Sequence, residues 1–330
     1  MAYITLSKNN FFYNLDIISK LTYGKDKVAL VLKDNAYGHG LLEVAQMAHE
    51  YGITKAVVRS NAEAKLIEEY FEYILVLADV PKNASTKIRY TINDIKTIKN
   101  FPKDTLVELK VNTGMNRNGI EINELNEALT LIRTRGLHLE AMFTHHASAD
   151  ELDGVYEVQK ELFSKLKSKV PNHLRFHSCN SAALFREKRF DEDMVRVGIA
   201  AYGCLEMPEE LSKTKLKPVL SVYAKKISSR KLKRGQKVGY GLTFEAEEAC
   251  SVSNYDFGYG DGFIRMCSHI HTTPNNTKIA GRISMDNSSF LSEEDELLIF
   301  NDARIVADEA STISYEVLTS LKAQLPRKIV

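Results

Sequence analysis

Eight short apolar runs recur across the first two thirds of this chain, and the stretches between them carry helical periodicity. The runs are Val28–Leu32, Ala56–Val58, Ile74–Leu77, Ile88–Thr91, Leu106–Val111, Leu139–Phe143, Leu174–Phe176 and Met194–Val197. Amphipathic stretches between them include Leu41–His49, Ala62–Tyr70, Asn123–Arg133 and Tyr156–Leu166. Strands that alternate with helices pair in parallel, because each crossover returns the chain to the same end of the sheet. Eight is the number that closes a barrel, so the pattern predicts an α/β fold built on a (β/α)8 TIM barrel. An open doubly wound sheet is the alternative, and no GxGxxG turn is present to favour it.

The texture changes from Leu216 onward. Lys217-Pro218 opens the run Val219–Ala224, and short strand patterns then alternate with Arg234-Gly235, Gly239-Tyr240-Gly241 and Asn275-Asn276. Helical periodicity returns only near Ile313–Leu321, which predicts a mostly β C-terminal domain with one late helix. Tyr3–Leu6 precedes the helix that leads into the first barrel strand, and it is placed to add a strand to that second domain. The expected division is residues 1–9 with the β domain, 10–213 as the barrel and 214–330 as the β domain, a plan that suits 330 residues.

Charge narrows the partners. Lys and Arg number 44 against 43 Asp and Glu, so neither nucleic acid nor an anionic membrane surface is favoured. No apolar run approaches the ~20 residues of a membrane span. The N-terminus lacks the basic segment and apolar stretch of a signal peptide. Cys179, Cys204, Cys250 and Cys267 show no CxxC or zinc spacing, as expected of free thiols in a reducing compartment. The expectation is a soluble cytoplasmic protein with no metal.

Lys33 ends the first apolar run, before Asp34-Asn35-Ala36-Tyr37-Gly38-His39-Gly40. A lysine buried there has a lowered pKa and a nucleophilic amine, the setting of a Schiff-base lysine. A lysine snorkelling from the sheet edge fits this segment equally well. Barrel enzymes gather their chemistry at the C-terminal ends of the strands. Reading those ends gives Lys33, Lys110, Thr144-His145-His146, His177-Ser178-Cys179-Asn180-Ser181, and Arg196 with Gly198-Ile199. Phosphate often sits between the loops after strands seven and eight, near a helix N-terminus. Here Asn180-Ser181 opens a short helix, Gly198-Ile199 offers uncovered N–H groups, and Tyr37 can reach the same place. A Schiff-base lysine beside a phosphate cradle points to pyridoxal 5′-phosphate.

At this point the chain resembles the alanine racemases, a bacterial family that uses pyridoxal phosphate. The matching motifs are Lys33–Gly40, Lys110–Gly119, Thr144–Asp150, His177–Ala183, Arg196–Gly203, Val238–Gly241, Gly258–Gly262, Gly281–Asp286 and Thr312–Glu316. They run in family order over nearly the whole length. The resemblance implies interconversion of L- and D-alanine by two bases on opposite faces of the cofactor, Lys33 for the D-enantiomer and Tyr259 for the L-enantiomer. The product would supply peptidoglycan. A tyrosine with a reference pKa of ~10 needs positive charge to act as a base, and His145 and Arg196 are the neighbours expected to give it.

By the same resemblance, Tyr37, Arg117, His145, Asn180, Ser181, Arg196, Gly198 and Ile199 bind the cofactor. Arg196 faces its pyridine nitrogen and Arg117 its phenolic oxygen. Arg117, Met285 and Asp286 meet the amino-acid substrate, Lys110 is the position often carbamylated, and the active unit is a head-to-tail homodimer. The chain departs from the family at Asn112, Asn116, His146 and Ala323. Its segment Cys267–Lys278 is short and lacks the tyrosine that usually narrows the substrate's approach. Broader specificity, for instance toward serine, therefore stands as an alternative, followed by a barrel-type decarboxylase and a non-catalytic protein that binds the same cofactor.

Overall fold

A computed structural model describes residues 1–330. Its eight parallel strands are Val28–Val31, Lys55–Val58, Tyr73–Val76, Ile88–Ile92, Leu106–Lys110, His138–Phe143, Arg175–His177 and Val195–Val197. The first seven pair in chain order, each with the one before it, and the eighth pairs with the first, Arg196 opposite Ala29. Two hydrogen bonds join the remaining seam: Asp193 N–H to Phe176 O at 3.1 Å and Arg196 N–H to Cys179 O at 3.0 Å. The expected barrel is therefore present, within a residue or two at each strand boundary. Val28–Val31 and Tyr73–Val76 are buried at every position, as strands covered on both faces require.

Helices Lys8–Leu21, Leu41–Tyr51, Asn61–Ile67, Leu125–Thr134, Val155–Lys167 and Ser181–Arg186 surround the strands. Lys8–Leu21 buries Phe11, Leu15 and Ile18 on one face, the spacing of a helix laid against a core. The outer ring is incomplete. The connection between Val76 and Ile88 has no helix, and Ile95–Asn100 forms only a 3₁₀ helix. The first of these connections contains Pro81 and lacks an apolar stripe to dock.

The second sheet is organised by the 13-residue strand Leu220–Leu232. It pairs antiparallel with Tyr3–Leu6, Cys250–Tyr255 and Glu296–Phe300, while Arg327–Ile329 runs parallel to Tyr3–Leu6. The two ends of the chain thus lie side by side, with Val330 N–H donating to Leu6 O at 2.9 Å. Two late helices, Ala303–Ala310 and Ser314–Ser320, replace the one expected. Ala303–Ala310 buries Ala303, Val306, Ala307 and Ala310 and is capped by Asp302. Three of those four side chains are alanine, an apolar stripe too weak to stand out in the sequence. One continuous core includes Ile4, Phe11, Leu30, Val222 and Phe300, so barrel and β sheet are packed as one body.

Candidate active site

The segment after the first barrel strand has an unusual backbone. Asp34, Asn35, Ala36 and Tyr37 take φ of 54°, 56°, 52° and 50°, one turn of left-handed helix made without glycine. Such residues cost roughly 1–2 kcal/mol each, so surrounding bonds must hold them. Glu63 accepts from Asp34 N–H at 2.7 Å, and Asn35 accepts from Leu41 N–H at 2.9 Å. From the C-terminal strand, Arg327 donates to Gly38 O at 2.7 and 3.1 Å. Gly38 itself has φ 74°, and a Cβ there would collide with Leu318 O. The turn directs both Lys33 and Tyr37 into a cavity of about 1040 Å³ at the barrel mouth.

Lys33, Tyr37, Lys110, Arg117, His145, Asn180, Ser181, Arg196, Gly198 and Ile199 all line that cavity. Lys33 is about one-third exposed and pairs with Asp34 at 3.0 Å, a half-buried placement between the buried and the snorkelling lysine that the sequence left open. Lys110 is 9% exposed. Burial, then the charges of Arg196 and Arg117, pull its pKa down to about 8. His145 is held well below its ordinary value by burial and by Arg196, Lys110 and Arg117, so it is neutral. Of the two neighbours expected to give Tyr259 positive charge, only Arg196 carries one permanently.

Asn180 caps helix Ser181–Arg186 by accepting from Ala183 N–H at 2.9 Å. Ser181 Oγ accepts from Gly198 N–H at 3.2 Å and Ala200 N–H at 3.3 Å. That pair ties the loops after strands seven and eight together and leaves the Ser181 hydroxyl proton free to donate. Ile199 N–H has no partner within the chain. Tyr37 is 9% exposed, with burial the main cause of a raised pKa. The cradle therefore offers hydroxyl and amide donors and no acceptor with charge.

Tyr259, Met285 and Asp286 lie elsewhere. Tyr259 and Met285 are 40% and 56% exposed on the β domain. Their loops interlock through Tyr259 N–H to Ser284 O at 3.0 Å and Gly260 N–H to Met285 O at 2.7 Å. Tyr259, with Asn35, Arg265 and Ala323, borders an adjoining groove of about 590 Å³ that shares Asp34 and Thr319 with the main cavity's lining. Asp150, Tyr315 and Glu316, which the sequence placed within matching motifs without a role, also line the main cavity. Sequence reasoning missed Glu108, buried in the barrel beneath that cavity. Glu108 could have been found, since it stands two residues before Lys110 on one strand and so shares its face.

Two family models match the chain, the alanine racemase N-terminal domain over residues 6–206 and the alanine racemase C-terminal domain over residues 219–329. The alanine racemase of a Nitratiruptor species is 43% identical over 99% of both chains. That of Campylobacter jejuni subsp. jejuni serotype O:23/36 (strain 81-176) is 41% identical over the full length of both. The solved alanine racemase of Clostridium difficile 630 superposes with a TM-score of 0.90 at 25% identity, covering all of this chain and 95% of that one. A histidine racemase from Leuconostoc mesenteroides subsp. sake, at 23% identity and a TM-score of 0.86, shares the fold. Matched end to end by both domain models and by relatives above 40% identity, this chain belongs to the alanine racemase family and is an isomerase of amino acids.

Proposed function

We propose that this protein interconverts L-alanine and D-alanine with pyridoxal 5′-phosphate, using Lys33 and Tyr259 as its two bases, and so supplies D-alanine for peptidoglycan in the cytoplasm. The observation that carries the reading is the charge of the cavity. Lys33, Lys110, Arg117 and Arg196 face it, and of these only Lys33 has a carboxylate partner. Of the acids that border it, half-buried Asp34 is paired with Lys33, and Asp150, Glu151, Glu206 and Glu316 are exposed. Two buried cations without a carboxylate partner, Lys110 and Arg196, beside a cradle of hydroxyl and amide donors suit a phosphorylated, anionic cofactor.

Bound there, the cofactor supplies an electron sink that acidifies the substrate's α-proton. The chain's own groups do the rest. Lys33 would hold the cofactor through its amine, and the same amine, when free, would exchange the proton on one face of Cα. Tyr259 exchanges it on the other. Arg196 would place positive charge beside the ring nitrogen, disfavouring a proton there. Arg117 donates to the phenolic oxygen and, with the Met285 and Asp286 N–H groups, to the substrate carboxylate. Lys110, with no carboxylate partner and two arginines beside it, suits conversion to an anionic carbamate.

Tyr259, Met285 and Asp286 stand outside the chain's own cavity, which supports a head-to-tail homodimer. We read residues 1–9 with 214–330 as the domain that covers the partner's barrel, residues 10–213. Exposed Arg265 and Arg282 on that domain complement the exposed acids at the mouth. A structural neighbour, the alanine racemase of Bacillus anthracis (26% identity, TM-score 0.88), was solved with bound L-Ala-P, which supports an alanine-like ligand for this fold.

The test is a panel of L-amino acids, serine included, incubated with purified protein and pyridoxal phosphate, with chiral analysis of the products. D-alanine should form fastest. Absence of any D-amino acid from a protein shown to bind the cofactor would overturn the reading.

A further inference from the structure

The barrel interior holds a line of polar groups that the proposed reaction leaves without a role. Glu108 is fully buried. Its Oε1 accepts from Tyr73 Oη at 2.5 Å and from Arg175 Nη2 at 3.2 Å, and its Oε2 lies 2.9 Å from His177 Nε2. On the other edge of that ring, His177 Nδ1 lies 2.5 Å from Arg196 Nη1. A guanidinium nitrogen can only donate, so Nδ1 is the acceptor and the ring proton sits on Nε2, where Glu108 receives it. The geometry dictates the tautomer.

Arg196 spends its other donors on carbonyls: Thr144 O at 2.7 Å, His177 O at 3.0 Å and Ser178 O at 3.2 Å. It has no carboxylate of its own. The His177 ring is stacked on Phe143 with 4.6 Å between centroids, which resists tilting of the ring out of its plane. Burial opposes ionisation of Glu108, but attraction to His177 and Arg175 and the bond from Tyr73 outweigh it, and the carboxyl stays charged. Burial holds His177 below its ordinary value, so the ring stays neutral. The order through the barrel is carboxylate, neutral imidazole, guanidinium, the arrangement by which an acid orients a histidine in hydrolytic triads.

We propose that Glu108 is a positioning residue for Arg196, fixing the His177 tautomer so that Nδ1 clamps the guanidinium at the cavity floor. Only its catalytic consequence rests on the reading of Arg196 given above. A buried network of this kind is costly to leave half-satisfied. With Gln at 108, the side-chain amide can turn its NH2 toward Nε2, driving the proton to Nδ1. Two donors then face each other and Arg196 must move.

The test is nitrogen NMR of the full chain labelled with ¹⁵N-histidine, with His177→Gln assigning the signal. The charged groups facing the ring are Glu108, Arg196 and Glu192. Against that background His177 should show Nε2–H with a bare Nδ1, unchanged between about pH 5 and 9, although an ordinary histidine titrates in that range. Glu108→Gln should add an Nδ1–H population. Tyr73→Phe, which removes a donor to the other carboxylate oxygen, should not. An imidazolium or Nδ1–H form in the unaltered protein overturns the proposal, and that measurement stands even if Glu108→Gln fails to fold. An unchanged tautomer in Glu108→Gln overturns it as well. In the racemase assay Glu108→Gln should lower kcat about 10- to 100-fold with KM for alanine little changed, the size usual for outer-shell partners. An unaltered protein inactive on alanine would sink the proposed function and leave the tautomer result to decide this inference by itself.

Discussion

Gly198 lies so close to Tyr37 that a Cβ on the glycine would stand 2.8 Å from the tyrosine hydroxyl and 2.9 Å from its ring. Tyr37 has no room to retreat, because its ring is packed against Tyr202 and Tyr315 at 5.4 and 5.7 Å between centroids. Gly198→Ala should therefore displace the Tyr37 hydroxyl from the cradle. Overpacking of this kind costs about 1–3 kcal/mol. Realised as lost cofactor binding, that is about a ten- to hundredfold rise in Kd for pyridoxal phosphate. Absorbance titration measures it, and unchanged affinity would argue against a phosphate site between these loops.

Lys110 gives a pH-dependent prediction. Its pKa of about 8 lies below the ordinary lysine value of 10.5, so near pH 8 about half of the amine is free. Only the free amine adds CO2, forming one N–C bond and releasing one proton. A carbamate signal from ¹³C-bicarbonate should therefore rise between about pH 6 and 8 and vanish in Lys110→Arg. Stability follows the same group. The folded chain binds fewer protons than the unfolded chain between the two values, so the penalty of burying this cation is full below pH 8 and fades toward 10.5. Lys110→Met should stabilise the cofactor-free protein most at the lower pH, as thermal melts would register. A carbamate signal that survives Lys110→Arg would assign it to another lysine.

The barrel was legible because strands such as Val28–Val31 and Tyr73–Val76 are buried on both faces and spell continuous apolar runs. The rim residues were legible because they follow those runs directly. The left-handed turn was not. Asp34-Asn35-Ala36-Tyr37 has no glycine to signal positive φ, and two of the groups that hold it, Glu63 and Arg327, lie 29 residues from Asp34 and 289 from Gly38. Distance in sequence also hides the partnership of Glu108 with His177, 69 residues away. Placing Tyr259 apart from Lys33 also lay beyond periodicity, because it depends on how the β domain docks.

Glu63 ties the turn to the next helix. Its carboxylate accepts from Asp34, Arg59 and Ser60 N–H groups at 2.7, 2.8 and 3.3 Å, and it completes the capping box of helix Asn61–Ile67. Glu63→Ala should cost roughly 1–3 kcal/mol, the range for an unsatisfied buried donor and a lost cap together. Local disorder should accompany the loss, since the left-handed residues lose a restraint while keeping their strain. Hydrogen exchange should quicken at Asp34–Gly38 before the rest of the barrel. Uniform quickening would mean that the turn is held by its neighbours without Glu63.

The two bases give the last prediction. Lys33 faces the main cavity, while Tyr259 borders a different groove of the same chain. If each base serves one enantiomer, Tyr259→Phe should suppress α-proton exchange of L-alanine far more than that of D-alanine. The loss should be about 10²–10⁴-fold, the usual worth of a positioned acid or base. If the bases of one site come from two subunits, inactive Lys33→Ala and inactive Tyr259→Phe should restore each other when mixed. A heterodimer then holds one site with both bases and one with neither. Statistical exchange makes half the dimers mixed, so recovery should reach about a quarter of the unaltered activity. Recovery must track subunit exchange, followed by native mass spectrometry of differently tagged chains. Exchange without recovery would mean that Lys33 and Tyr259 of a single chain meet, and the head-to-tail arrangement would be wrong.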